Sequence, residues 1–302
     1  MLSVLIPVYN YNILTLVNDL HKQLLVTAID FEIICLDDVS DKEIIRSNMK
    51  VSELSHTSYN LSQTNKGIAI TRQLLCNAAK YEWILLIDAD TELKEESFIS
   101  NYLKVINKGH DFIFGGFAYK SIKPQKDSIL RWKYGKRCES LSATKRNENP
   151  YKITIAANLL VKKEAYKSFN LDSIGKLYAM DYYFGAKLKE NNSRVLHIDN
   201  QVYHLGIEKS STYLRKKEQA TETLLKLYNE NSISKHSNSL LSLYEFSKRC
   251  GLNYLFSMLF NLFKSSLRRN LLGKHPSILL LQLYKIAYMC HFDLANKNHW
   301  ID

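Results

Sequence analysis

The chain has 302 residues, which is enough for one large α/β domain with an appendage or for two ordinary domains. Hydrophobic residues make up 46% and charged residues 24%, with 10 Gly and 4 Pro, so the composition excludes a disordered or fibrous protein. Five scattered cysteines without a Cys-x-x-Cys pair count against a disulfide framework or a zinc site. The net charge of +11 favours anionic partners, a class that includes nucleic acid, anionic lipid and phosphorylated small molecules.

The N-terminus leads directly into a short apolar segment that ends at Pro7, with no cationic stretch ahead of a long apolar run. This pattern does not fit a secretory signal. We therefore expect a cytoplasmic protein.

From the first residues onward, apolar runs rich in β-branched residues alternate with amphipathic stretches. This alternation is typical of an α/β fold in which helices flank a mostly parallel sheet. The predicted strands cover residues 4–8, 31–36, 83–87, 112–117, 153–161, 194–198 and 202–205, and the predicted helices cover residues 13–24, 67–79, 95–106 and 181–188. Residues 119–152 are rich in Lys, Arg, Ser and Asn, and we predict a long loop or a small excursion from the fold there.

The chain changes character towards its C-terminus. Two apolar runs, at 252–267 and 278–292, are interrupted by Lys or Arg, and neither reaches the ~20 uncharged apolar residues of a membrane-spanning helix. Residues 233–302 carry nine Lys and Arg against three Asp and Glu. This mixture favours helices that lie on an anionic membrane surface, and a helical subdomain packed on the main core is the alternative. We therefore divide the chain into a main domain, 1–235, and a helical basic extension, 236–302.

Polar residues follow three of the predicted strands. Residues 9–10 follow the first strand, residues 37–38 the second and residues 88–90 the third. Because ligands of an open parallel sheet bind outside the carboxyl ends of its strands, we expect these segments to meet in one crevice.

Asp88 and Asp90 come directly after an apolar strand, where two carboxylates need a cation or water. Hard oxygen ligands one residue apart suit Mg²⁺ or Mn²⁺ ions that also take phosphate oxygens and water. A turn or a helix cap is the alternative, since Thr91 and Glu92 follow immediately.

Asp38 ends the second strand, at the place where a dinucleotide-binding sheet keeps the acid that binds ribose. The first strand, however, is not followed by Gly-x-Gly-x-x-Gly. The pattern therefore favours a nucleoside diphosphate over a dinucleotide. A turn is again the alternative, because residues 37–41 are good turn formers.

Four segments are informative as a set. They are SVLIPVYN at 3–10, EIICLDDVSD at 32–41, NKGIAITRQ at 65–73 and DAD at 88–90. Over about residues 1–207 the chain resembles the family 2 glycosyltransferases, which have the GT-A fold. The resemblance implies a three-layer α/β sandwich that transfers a sugar from a nucleoside-diphosphate donor to an acceptor hydroxyl. It also implies inversion at the sugar and a Mn²⁺ or Mg²⁺ cofactor.

The resemblance assigns roles to single residues near the donor. Pro7, Tyr9 and Asp38 would contact the nucleoside, and Asn65 and Arg72 would support the donor pocket.

The resemblance places the metal at three further residues. Asp88 would touch the ribose or the metal, and Asp90 would bind the metal directly. His204, in VYHLG at 202–206, would reach the metal or the diphosphate. The alternative for His204 is a hydrogen-bonded structural histidine.

The resemblance also points to a general base near the start of a late helix. Asp181 occupies that position, although Met180 stands where the family more often has Glu or Gln. The alternative is that Asp181 caps the helix.

The leading interpretation is an inverting glycosyltransferase that acts on a glycan or lipid-linked acceptor at the inner face of a membrane, with a UDP-sugar as favoured donor. A sugar-phosphate nucleotidyltransferase is the second interpretation, although no Gly-rich phosphate loop follows the first strand. A non-catalytic module that binds nucleotide or membrane is the third. We expect no nucleic-acid partner, because the sequence has no RRM, KH or helix-turn-helix pattern.

Overall fold

The computed structural model describes residues 1–169, 181–234 and 238–296, and their contacts form two compact units. The first unit takes its described residues from Met1–Tyr119, Ser140–Lys176 and Asn192–Gly206, and the second from Lys120–Glu139, Leu177–Asn191 and Ile207–Asp302.

The strands and helices are numbered here in chain order. The strands are β1 (Leu2–Val8), β2 (Phe31–Asp37), β3 (Thr57–Leu61), β4 (Trp83–Ile87), β5 (Thr91–Leu93), β6 (Phe112–Phe114), β7 (Phe117–Ala118), β8 (Asn158–Lys162), β9 (Val195–His197) and β10 (Val202–His204). The helices are α1 (Leu14–Leu25), α2 (Lys42–Asn48), α3 (Ile68–Ala78), α4 (Phe98–Leu103), α5 (Ile129–Tyr134), α6 (Ala143–Asn147), α7 (Lys163–Lys167), α8 (Asp181–Glu190), α9 (Ser210–Asn229), α10 (Ser239–Arg249), α11 (Leu252–Leu271) and α12 (Ile278–Ala295).

The first unit is built on a seven-stranded sheet in the order β3-β2-β1-β4-β8-β6-β9. β3, β2, β1 and β4 are parallel, and β8 runs antiparallel to both of its neighbours. A second sheet has the order β5-β10-β7. The predicted α/β fold with a mostly parallel sheet is confirmed, and three polar segments follow strands that are parallel in this sheet.

The central strands form because their apolar runs are buried along their whole length. Every residue of β1 and β4 is buried, and fully burying a Leu or Ile side chain contributes about 1.5–3 kcal/mol. Pro7 is tolerated inside β1 although it has no N–H group to donate. Pro7 lies opposite Leu36 of β2. On its other side it lies beyond the last pair of the β1–β4 ladder, Leu5 and Leu86.

A buried polar cluster supports the loops around β7. The side-chain amide of Asn158 donates to the carbonyls of Gly116 and Asn200, both at 2.9 Å, and its oxygen accepts from the hydroxyl of Tyr102 at 2.6 Å. Arg146, which is 2% exposed, donates to the carbonyls of Phe114, Gly115 and Ile198. Backbone carbonyls that would otherwise lie buried without partners are satisfied in this way.

The second unit is a helical body. Its core joins α5, α9, α11 and α12. The fully or nearly fully buried members of this core are Leu130, Tyr213, Leu214, Phe260, Leu271, Ile278, Leu281, Tyr284 and Ala287. Because Tyr213 and Leu214 pack in this cluster, helix α9 groups with the C-terminal helices, and the last segment of the second unit begins at Ile207. The division into domains at residue 235 stays a prediction.

Among the described residues, one helix has the length and composition of a membrane span, namely α12. Half of this segment is buried within the protein, and its buried side chains include Lys285 and Asp293. A core helix of a helical body passes the same test of length and composition.

The long loop predicted over 119–152 was wrong, whereas the alternative prediction of a small excursion fits, because residues 120–139 belong to the second unit. Helices α5 and α6 lie there, because residues such as Leu130 supply apolar contacts to neighbouring segments. The elements that the sequence pattern did not indicate are α2, β3, β5, α7 and α9. β3 has no fully buried residue, so it lacks the continuous apolar run by which the other parallel strands were found.

Acidification is expected to destabilise the first unit through His197. Nδ1 accepts from Arg146 at 2.9 Å, Nε2 donates to the carbonyl of Pro150 at 2.8 Å, and burial lowers the pKa of His197 to about 4. Between pH 6.5 and pH 4 the unfolded chain therefore binds a proton that the folded chain does not. We expect the free energy of unfolding to fall across this window by up to about 3 kcal/mol from this residue.

The measurement is urea unfolding of the wild type and of His197→Gln at several pH values. The variant should show a shallower dependence of stability on pH between 4 and 6.5, whatever its absolute stability. Equal slopes for the two proteins would contradict the assignment.

Candidate active site

The loops after β1 and β2 are bonded to one another at the carboxyl end of the sheet. The backbone N–H of Asn10 donates to the hydroxyl of Ser40, and the side-chain oxygen of Asn10 accepts from the N–H of Asp41, both at 2.7 Å. Val39 has a φ of +70°, a conformation that β-branched residues rarely adopt. Backbone strain of this kind is concentrated at functional sites and points to a function for this loop.

Asp38 fixes the segment that precedes α3. Its two carboxylate oxygens accept from the backbone N–H groups of Lys66 and Gly67, each at 2.7 Å, and its carbonyl accepts from the side-chain amide of Asn65 at 3.0 Å. Each carboxylate oxygen has a second lone pair for a ligand hydroxyl or N–H. Asp38 and Asn65 are thus in direct contact, and their roles toward a donor stay predictions.

The other two residues predicted to touch the nucleoside differ in exposure. Tyr9 follows β1 directly and is 58% exposed, so its ring is available for contact with a ligand. Pro7 is buried within β1, where it shapes the strand that leads to Tyr9. A direct contact between Pro7 and a nucleoside stays a prediction.

Asp88 forms an ion pair with the guanidinium group of Arg72. The Nη2 atom of Arg72, on α3, lies 2.6 Å from Oδ1 of Asp88, and the two side chains are 12% and 25% exposed. The carbonyl of Asp88 also accepts from the hydroxyl of Thr91 at 2.8 Å, which is the turn considered as an alternative. Asp88 therefore takes part in the turn through its carbonyl and in an ion pair with Arg72 through its carboxylate.

Asp90 lies beside His204. Oδ2 of Asp90 is 3.4 Å from Nε2 of His204, and the carbonyl of Asp90 accepts from the N–H of Leu205 at 2.8 Å. This placement follows from the antiparallel pairing of β10 with β5, which sets His204 opposite Thr91. A Cβ atom added at Gly206 would overlap Oδ2 of Asp90, so the glycine allows the backbone to approach the carboxylate.

Aromatic side chains lie close to Asp90 and His204. The ring of His204 packs against Phe117 and Tyr119, at centroid distances of 5.1 and 5.8 Å. Burial, followed by the negative charges of Asp90 and Glu92, raises the pKa of Tyr11. Tyr11 was not predicted as a site residue, because its proximity to Asp90 depends on the alignment of β1 with β4.

Asp90 and His204 fit a divalent ion that takes its remaining ligands from a diphosphate and water. Mg²⁺ and Mn²⁺ bind carboxylate oxygens, and Mn²⁺ also binds imidazole nitrogen. Within the described ranges, no group of three or more His, Cys, Asp and Glu side chains is arranged to hold a metal ion. Two protein ligands are consistent with that finding, since sites of this kind use few side chains and leave positions for substrate phosphates.

Asp181 lies in the second unit, as the first residue of α8, and is exposed. Burial lowers the pKa of nearby Lys217 and Arg131 acts in the same direction, whereas Glu139 and Asp181 raise it. The Nζ atom of Lys217 also lies 4.7 Å from the centroid of the Tyr134 ring. Met180, which departs from the family pattern, lies outside the described residues.

A cavity of about 390 Å³ opens beside the segment that Asp38 fixes, with Ser62, Lys66 and Leu74 among its lining residues. None of the residues predicted to bind the donor or the metal lines it. The residues predicted to bind the donor and the metal therefore lie outside this cavity.

The chain was compared with known proteins. The model of the family described as glycosyl transferase family 2 matches residues 3–169, which is more than half of the chain. A comparison with curated protein sequences found no match.

Several solved structures have a similar fold. A mannosyltransferase from Pyrobaculum calidifontis, solved with GDP-Man and Mn²⁺, is 13% identical with a TM-score of 0.58, over 100% of this chain and 87% of that chain. A mannosyl-3-phosphoglycerate synthase from Rubrobacter xylanophilus is 13% identical with a TM-score of 0.54, over 78% and 76% of the two chains. A glucosyl-3-phosphoglycerate synthase from Mycobacterium tuberculosis, solved with Mn²⁺, UDP and glucosyl-3-phosphoglycerate, is 12% identical with a TM-score of 0.50, over 75% and 79%.

At these identities the structural likeness establishes the fold, and the family match establishes the family and its class of reaction. The parallel strands, the ordered polar loops and the Asp-x-Asp segment described above all lie within the matched residues. The chain therefore belongs to glycosyl transferase family 2 and is a glycosyltransferase with the GT-A fold.

Proposed function

We propose that the enzyme transfers a sugar from a nucleoside-diphosphate donor to a hydroxyl of a glycan or lipid-linked acceptor, with the aid of a divalent metal. The transfer inverts the configuration at the anomeric carbon. The observation that carries the proposal is the pair formed by Asp90 and His204 beside Gly206. This pair places one carboxylate and one imidazole next to a backbone that has no side chain in the way. Such an arrangement suits an ion that is shared with a substrate diphosphate.

The donor contacts are proposed for the loops after β1 and β2. Tyr9 offers an exposed ring, and the remaining lone pairs of Asp38 accept from the nucleoside. The mannosyltransferase and the glucosyl-3-phosphoglycerate synthase bind GDP-Man and UDP respectively, which supports a nucleoside-diphosphate donor without choosing the base. We favour a UDP-sugar, and a GDP-sugar is the alternative that the experiment below separates.

The metal is proposed to be Mn²⁺ or Mg²⁺, held by Asp90 and His204, and two of the similar structures contain Mn²⁺. When bound, such an ion neutralises charge that develops on the departing diphosphate, an effect worth several kcal/mol. Asp88 is proposed to act close to the ribose, in an orientation that its ion pair with Arg72 maintains.

Asp181 is the proposed general base. Its carboxylate takes the proton of the acceptor hydroxyl while the acceptor oxygen bonds to the anomeric carbon and the bond from that carbon to the donor phosphate breaks. A single displacement of this kind inverts the anomeric carbon. General-base catalysis typically contributes ~10²- to 10⁴-fold to the rate.

The first test is a panel of UDP-, GDP- and dTDP-sugars incubated with the enzyme, with and without Mn²⁺, and followed by release of nucleoside diphosphate. We expect Mn²⁺-dependent release from one nucleotide class, with UDP-sugars leading. Binding of nucleotide without release from any donor would favour a non-catalytic module. Formation of a nucleotide sugar from a sugar phosphate and a nucleoside triphosphate would identify a nucleotidyltransferase instead.

The second test separates the metal ligand from the base. Asp90→Asn should weaken Mn²⁺-dependent donor binding by at least about 10-fold, since disturbing even the groups that support a metal ligand typically costs about 10- to 100-fold. Asp181→Asn should leave donor binding unchanged and lower kcat by ~10²- to 10⁴-fold. Titration calorimetry with donor and Mn²⁺ gives the binding, and product release gives kcat. Full turnover by Asp181→Asn would show that another group is the base.

The third test uses two glycines as a matched pair. A methyl group at Gly206 would meet the flexible end of Asp90, so Gly206→Ala should lower Mn²⁺-dependent donor binding while Tm changes little. A methyl group at Gly115 would overlap Asn158, Tyr102 and the carbonyl of Asn200. Overpacking of this kind costs about 1–3 kcal/mol, so Gly115→Ala should lower Tm by several degrees. An unchanged metal dependence in Gly206→Ala would remove Asp90 from the metal site.

A further inference from the structure

The side chains of α11 are distributed in an unusual way for a helix in water. On the side that packs inside the second unit, the buried residues include the polar side chains of Asn253 and Ser257. The opposite side carries large apolar side chains that are exposed to solvent, and we call this set the α11 outer face. It consists of Tyr254 (61% exposed), Leu255 (45%), Met258 (52%), Leu262 (66%) and Phe263 (52%).

The spacing of these residues makes the α11 outer face continuous. Tyr254, Met258 and Leu262 are four residues apart and therefore follow one another along the same side of the helix. Leu255 and Phe263 widen this stripe. Single exposed apolar residues are ordinary in soluble proteins, whereas a contiguous apolar stripe marks an interaction surface.

Cationic residues lie at both ends of the stripe. Lys248 and Arg249 end α10 immediately before α11 begins, and both are exposed, although the Nζ atom of Lys248 also lies 3.9 Å from Oδ2 of Asp293 on α12. Arg269 lies in the second half of α11 and is also exposed. Lys264 is exposed too, with its Nζ atom 5.3 Å from the centroid of the buried Phe260 ring, and Arg268 pairs with Glu218 of α9, whereas α11 itself contains no Asp or Glu. The surface therefore combines exposed apolar area with positive charge that no carboxylate of the same helix offsets.

We propose that the α11 outer face docks on the surface of an anionic lipid bilayer, with α11 lying along the headgroup layer. The apolar stripe would enter the boundary between headgroups and acyl chains, and the flanking cations would pair with lipid phosphates. A second copy of the chain fits this surface less well. The same face contributes only apolar and cationic groups, so self-association would bring its cations towards one another without a partner charge.

This docking leaves α12 inside the protein. The buried side chains of α12 include Tyr284, Lys285 and Asp293, and α11 packs against this helix. The enzyme is thus proposed to be a peripheral membrane protein that binds through one face of one helix. The inference does not depend on the donor, the metal or the base proposed above, because none of their residues belongs to the α11 outer face.

The experiment is sedimentation of the full-length enzyme with vesicles of phosphatidylcholine alone or with one third phosphatidylglycerol. We expect binding to the anionic vesicles at least about tenfold stronger than to the neutral ones, and weaker binding as salt is raised. The double variant Met258→Glu and Leu262→Glu should lose at least about tenfold in affinity for the anionic vesicles. Its donor turnover in vesicle-free solution should match that of the wild type.

The matched control is the double variant Val26→Glu and Ile122→Glu. It adds the same charge at two apolar side chains that are 85% and 84% exposed and do not belong to α11. This control should bind anionic vesicles like the wild type. Equal losses in both double variants would show that net charge alone drives adsorption, and that result would overturn the docking face.

Self-association is measured in the same series by light scattering after gel filtration. We expect the wild type and the α11 double variant to have the same mass in solution. A larger wild-type mass that falls in the variant would identify the face as a contact between two copies and overturn the proposal. Binding to neutral and anionic vesicles with equal affinity would also overturn it.

Discussion

Negative charge at one edge of the central sheet is the constraint around which the site is organised. Two parallel strands end in Asp37-Asp38 and Asp88-Ala89-Asp90, and each carboxylate is stabilised in a different way. Asp37 accepts from the N–H of Ser40 and the hydroxyl of Tyr59, and Asp38 accepts from two backbone N–H groups. Asp88 pairs with Arg72, whereas Asp90 lies against an imidazole.

These different partners give different surroundings to four Asp side chains that look alike in the sequence. Backbone N–H groups and an arginine are not readily displaced, so Asp37 and Asp38 hold their loops in place and Asp88 stays paired with Arg72. An imidazole nitrogen is itself a ligand for transition-metal ions, which is why Asp90 and His204 are the residues proposed to bind the metal. The same argument explains the glycine at 206, since a side chain there would occupy the space beside the carboxylate.

Much of this arrangement was predictable because the central strands are buried on both faces. Their continuous apolar runs marked β1, β2 and β4 in the sequence, and the rule for ligand sites in parallel sheets then brought their polar ends together. β3 could not be found in this way, because an edge strand with half-exposed residues has no such run. The helices within 119–152 were missed because their polar composition concealed the buried contacts of Leu130 and Arg146.

The pairings within the site depend on long-range geometry that local patterns do not encode. Arg72 meets Asp88 because α3 packs beside β1, and His204 meets Asp90 because β10 pairs with β5 in one register. A shift of that register by one residue would turn His204 to the other side of its strand. The base is a different case. Asp181 belongs to α8, where a helix was predicted, and its role as the base rests on the family resemblance and stays a prediction.

For the C-terminal helices, composition alone left two interpretations open, namely membrane contact and packing within the protein. α11 and α12 are both apolar and both carry cations, so the sequence favoured membrane contact and packing about equally. In the structure α12 takes the packed role, with Lys285 and Asp293 among its buried side chains. α11 contributes Phe260 and Leu271 to the same core but keeps its largest contiguous apolar stripe in solvent. In solution, only another protein surface could cover that stripe. The absence of carboxylates on α11 and the cations near its ends instead match an anionic bilayer.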